Sequence, residues 1–90
     1  MDAAILLTAL KIDLGITSTA FDDRLNSRIA TAQERIAAEG ATLTNSEGDQ
    51  DLVVMYAAWL WRSRATGEKM PDMLRYALTN RVLGEKARPV

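Results

Sequence analysis

The chain has no cysteine and no histidine among its ninety residues. Without cysteine there are no disulfides, thiolate metal sites or thiol nucleophiles. Without histidine as well, the usual zinc ligand sets are excluded, and the commonest general base for a serine nucleophile is missing. Serine with lysine is the remaining pairing, and no paired arrangement of the two is visible, so neither an enzyme nor a bound cofactor or metal is expected. Long apolar runs are also scarce. The longest has ten residues, Leu52 to Trp61, against roughly 20 needed to cross a bilayer, so no membrane partner is expected. Met1-Asp2-Ala3-Ala4 places no basic region ahead of its short apolar run, which argues against a secretory signal and for a soluble intracellular protein. There is no internal repeat or low-complexity segment, and nothing reads as a strand.

What is present is helical. Ninety residues make one domain, expected to span residues 1–84, with a total stability of about 5 to 13 kcal/mol. The run LVVMYAAWLW organises it. At 100° per residue Leu52, Tyr56 and Trp59 share one side of a helix, while Val54 and Trp61 point the other way. Such a helix is apolar all round and must be covered on every side. A chain this small has few elements to do so, which points to a partner chain as the remaining cover.

In chain order, a first helix is expected over residues 2–14, with Asp2 at its cap, a wide apolar arc and Gly15 as its stop. Thr19 and Asp22 fit the Asp variant of a capping box, opening a second helix over about 19–39. Its Phe21, Leu25, Ile29, Ala32 and Ile36 fall within an arc of roughly 80°. Ala41 to Gly48 is a polar connection that Leu43 anchors. A third helix follows from about Asp49 to Ala65, with Asp49 or Ser46 as its cap. Pro71 suits the first turn of a fourth, whose Leu74, Ala77, Leu78 and Val82 face inward, with Met73, Tyr76 and Leu83 on another side. Gly84 breaks that pattern, so Glu85 to Val90 reads as a mobile tail. The fold class is all-α, a small bundle of about four helices.

The acid pairs Asp22-Asp23 and Asp49-Gln50-Asp51 open expected helices, where the dipole favours acids, so capping explains them better than metal binding. The formal net charge is −1 but unevenly placed: nine acids face four bases through residue 51, and seven bases face three acids beyond it. An acidic half on one copy meeting a basic half on the next favours a head-to-tail ring; a basic half facing phosphate, or two ordinary solvated surfaces, are the other readings. A DNA-reading helix-turn-helix around Gly15 is disfavoured, because its second helix would begin with two aspartates.

Trp59 and Trp61 stand about 200° apart on a helix and cannot share one core. With Trp59 assigned to the core beside Leu52 and Tyr56, Trp61 becomes the main interface candidate, Val54 lies on its side, and Met73 and Tyr76 are weaker candidates. Arg62 and Arg64, at the basic end of the third helix, would set orientation between protomers.

The run LKIDLGI at Leu10 to Ile16, the spacing of Asp22, Leu25, Ile29, Ala32 and Ile36, and MYAAWLWR at Met55 to Arg62 together resemble the small head-to-tail connector proteins of tailed bacteriophages, the head-completion adaptors beneath the portal. The resemblance covers roughly residues 5–84 and rests on apolar spacing. It implies a non-enzymatic virion component at the head-tail junction, made in the host cytoplasm. It implies a homo-oligomeric ring of about twelve copies, with the portal protein and a downstream head-completion or tail protein as neighbours. DNA would pass through the ring without being read, with Arg81, Lys86 and Arg88 as candidate channel residues. The alternative is a small helical nucleic-acid-binding regulatory protein using the basic C-terminal half.

Overall fold

Local signals set the helix boundaries in the computed structural model, which describes residues 1–87: α1 (Ala3–Leu14), α2 (Asp22–Ala38), α3 (Glu47–Ser63) and α4 (Asp72–Ala87), with no strand among the described residues. Asp2 caps α1 by accepting the Ala4 amide at 2.9 Å. Gly15 ends it in the left-handed region, φ 71°, where its amide and that of Ile16 close on the carbonyls of Ile12 and Lys11. Ser46 caps α3 by accepting the Asp49 amide at 3.2 Å, and α4 follows directly on Pro71.

Helix α3 starts and ends two residues earlier than expected, and two boundaries differ by more. The Thr19–Asp22 capping box does not form; α2 starts at Asp22 after Phe21, without a side-chain cap. The Asp22 carboxylate is engaged instead by the Lys11 ammonium of α1 at 2.8 Å, joining the two helices across their turn. The second difference lies at Gly84, which does not end α4. The helix continues to Ala87, with Arg81 and Glu85 paired at 2.7 Å across the glycine. Such a pair offsets part of the roughly 1 kcal/mol by which glycine disfavours a helix interior. Glu85 to Ala87 of the expected tail are therefore helical, and residues 88–90 lie outside the described residues.

The helices share one core. The stripe read on α2 points into it, with Leu25, Ile29, Ala32 and Ile36 buried, as do Leu74 and Leu78 of α4 and Leu6 and Leu10 of α1. Helix α3 lies in the middle and packs on each of the other three. Its Leu52, Val53, Val54, Tyr56, Ala57, Ala58 and Trp61 are all buried within the chain. The expectation that a partner chain must cover this helix is therefore corrected: three helices and their turns cover most of it, leaving Met55, Trp59 and Leu60 partly exposed. The molecule measures 44 × 28 × 17 Å, about two helix layers thick. In a slab of that kind the outer helices keep one side to solvent, and these sides hold most of the large apolar side chains left exposed.

Candidate functional site

Two outward helix faces are the candidate site. On α4, Met73, Tyr76 and Leu83 are 76%, 67% and 58% exposed. Together with Asn80 they fall within an arc of roughly 80°, opposite the buried Leu74 and Leu78, so burying one face forces the other outward. On α1, Ile5 and Ile12 are 54% and 75% exposed and share a face with Thr8 and Ala9, while Leu6 and Leu10 turn inward. Leaving large apolar side chains in water forgoes roughly 1.5–3 kcal/mol each, and a contiguous apolar stripe is a recurrent mark of contact surfaces.

Between the end of α3 and the start of α4 runs an open groove of about 520 Å³. Met55, Trp59, Met70 and Leu74 contribute its apolar lining, and Asp13, Arg62, Lys69 and Asp72 are among its charged residues. Trp59 is fixed there by its indole N–H, which donates to the Glu68 carbonyl at 2.9 Å, and by an edge-on contact with Tyr56 at 5.5 Å.

The expected interface residues divide accordingly. Met73 and Tyr76 are on the exposed face of α4, as read from their spacing. Trp61 and Val54 are not available from outside, being 7% and 8% exposed. The assignment of the two tryptophans is corrected at Trp61, which is a core residue; Trp59 packs against the same core beside Tyr56, as expected, but is partly exposed. The reason is that α3 has no single core side. Phe21, from the turn between α1 and α2, closes over Trp61 edge-on at 5.5 Å, and the Arg64 guanidinium lies 3.8 Å from its ring centroid while donating to the Trp61 carbonyl. Arg64 thus seals the core from outside. Arg62 is exposed at the groove and donates to the Asp13 carbonyl at 3.4 Å.

The candidate channel residues divide as well. Lys86 is exposed on the last turn of α4, and Arg88 lies outside the described residues. Arg81 is committed to a structural network and does not present a free cation. Its Nε and Nη2 donate to the two oxygens of Asp49 at 2.7 and 3.2 Å, Nη2 also donates to the Thr42 carbonyl at 2.7 Å, and Nη1 to Glu85 at 2.7 Å. Asp49, 3% exposed, accepts in addition from the Thr44 amide and hydroxyl at 2.8 and 2.9 Å. Arg81 holds the Asp49 carboxyl below its ordinary value; burial opposes this and the Thr44 bonds assist. Asp49 in turn, with Glu85, raises the already high value of Arg81. The pair ties α4 to the start of α3 and orders the Ala41 to Gly48 connection.

Sequence reasoning missed this pair because 32 positions separate its members and no periodicity links them. It also missed Ile5 and Ile12, although the wide apolar arc of α1 was their signal: an arc wider than the core can accept must show on the surface. Among the described residues no group of three or more acidic side chains has metal-binding geometry. No helix there is long and apolar enough to cross a membrane. Comparison with known proteins finds no matching family model, no matching curated protein and no matching solved structure.

Proposed function

We propose that this chain is a structural assembly protein whose working surfaces are the outward faces of α1 and α4, and that it acts as a head-to-tail connector of a tailed bacteriophage. The observation that carries the assembly reading is the exposed stripe Met73, Tyr76 and Leu83 on a helix whose other side is fully used by the core. Charge adds to it, since the half containing α1 and α2 is acidic and the half containing most of α3 and α4 is basic. The connector assignment rests further on the resemblance of Leu10 to Ile16, the α2 spacing and Met55 to Arg62 to that family. On this reading copies close into a ring at the head-tail junction, between portal and tail, and DNA passes through without sequence-specific contact. The nucleic-acid-binding alternative has less support, because Arg81 is held by Asp49 and Glu85 and is not offered to phosphate.

The deciding experiment is sedimentation velocity or light scattering across a concentration range. The expected result is a monomer that climbs with concentration toward one ring-sized species. A strict monomer, combined with DNA binding that weakens steeply with salt, replaces this reading with the alternative.

A further inference from the structure

The two exposed faces match each other. Ile5 and Ile12 are seven residues apart on α1, and Tyr76 and Leu83 are seven apart on α4, so each pair spans about 10.5 Å along its helix. Between the members of each pair the face is uncharged, with Thr8 and Ala9 on α1 and Asn80 on α4. The ends differ in sign. Exposed Asp2 and Asp13 bracket the α1 face, whereas exposed Lys69 and Lys86 bracket that of α4, with Asp72 beside the former.

We infer that the α1 face of one copy seats on the α4 face of a second copy, antiparallel, with Ile12 against Tyr76 and Ile5 against Leu83. This rests on the assembly reading above and names the surfaces it uses. Each member of the complementary pair argues for the other as its occupant. Small Thr8 and Ala9 then face Asn80 midway, which lets the two helices approach closely enough for Ile12 to meet Tyr76 and Ile5 to meet Leu83. Acids at both ends of the α1 face suit lysines at both ends of the α4 face in either direction; the antiparallel one is favoured because it opposes the two helix dipoles. Packing α1 on α1 would instead bring the acidic ends of two copies together, and packing α4 on α4 the basic ends. The contact is heterologous, because different faces meet, so repetition generates a ring or filament and not a closed pair through one shared face.

The absence of cysteine makes the test clean. Four single variants are prepared, Ile5→Cys, Ile12→Cys, Tyr76→Cys and Leu83→Cys, and mixed in pairs under oxidising conditions, with products resolved by mass. All four positions are exposed, so the fold tolerates the changes. The expected result is intermolecular disulfides for Ile12→Cys with Tyr76→Cys and for Ile5→Cys with Leu83→Cys, at yields at least about tenfold above the crossed pairings and above either variant alone, a ratio that corresponds to a clear energetic preference. Preferential crosslinking of Ile5→Cys with Tyr76→Cys overturns the antiparallel register. Self-crosslinking of Ile12→Cys at the highest yield overturns the pairing of unlike faces. A chain that associates by sedimentation yet crosslinks at none of these pairs removes this interface and leaves the assembly reading standing. A chain that never associates removes both.

Discussion

Replacing Asp49 by asparagine removes one charge from the only buried acid among the described residues while keeping its size. Arg81 would then face an amide across 2.7 Å, one oxygen would still accept from Thr44 or Arg81 but not from all their donors, and the tie between α4 and α3 would weaken. Removing one partner of a buried ion pair costs about 3–5 kcal/mol when the other charge is left stranded. Here the loss is smaller, because the Arg81 side chain is 20% exposed and keeps Glu85 and the Thr42 carbonyl. A loss of about 2–3 kcal/mol is expected, a large share of the roughly 5–13 kcal/mol typical of a domain this size. With a slope near 1.5 kcal/mol per molar urea, the unfolding midpoint should fall by about 1.3–2 M.

Acid provides an independent reading of the same pair. Because the folded state holds the Asp49 carboxyl below its ordinary value of 3.8, the folded state binds this proton less readily than the unfolded state does. The resulting stability is fully present above that ordinary value and is lost as pH falls through the lower folded value. The native chain should therefore lose stability as pH falls below about 4, and Asp49→Asn should be flatter across that window. Urea titrations followed by far-UV circular dichroism at neutral and acid pH measure both effects. A cost under about 1 kcal/mol at neutral pH, with an unchanged acid slope, would refute the claim that this pair holds α4 in place.

Three further outcomes are expected. Trp61→Ala should lower the unfolding free energy by about 3–5 kcal/mol, since it empties a site closed by Phe21 and Arg64; chemical denaturation checks this, and a fold of wild-type stability with association lost would return Trp61 to the interface. Tyr76→Ser should leave stability within about 0.5 kcal/mol and shift association to higher concentration, read by denaturation and sedimentation on the same preparation. Gly15→Ala should cost about 1 kcal/mol because φ 71° is strained for any residue with a Cβ, although the space there is open; a thermal melt measures it, and an unchanged melting temperature would show that the turn relaxes.

Sequence periodicity revealed much of the fold because helix amphipathicity is a local property. The α2 stripe, the two faces of α4, the Asp2 cap and the Gly15 stop each depend on residues within a few positions of one another. What stayed hidden depends on which helix lies beside which. The orientation of α3 is the clearest case. An all-round apolar helix carries no phase, so nothing local chooses between Trp59 and Trp61 as the buried ring; that choice is made by Phe21, forty positions from Trp61, arriving on the α1–α2 turn. The same holds for Asp49, whose neighbours in sequence read as a helix start, and whose partner Arg81 reads as a free base until the fold brings the two to 2.7 Å.

The corrected core changes which surface is proposed for assembly. Sequence alone places the apolar excess on α3 and points to a partner chain as its cover; the fold satisfies α3 internally by surrounding it with α1, α2 and α4. A helix used as cover turns one face inward and leaves the other in water. For α2 the outer face is mostly polar, with Arg24, Ala30, Glu34 and Arg35 exposed. For α1 and α4 it carries Ile5, Ile12, Met73, Tyr76 and Leu83, the most exposed of the large apolar side chains, on two helices that both pack on α3. Substitutions at those five positions should therefore separate association from stability, whereas substitutions along Leu52 to Trp61 should change both together, because a protomer that loses its central helix has no outer faces to present.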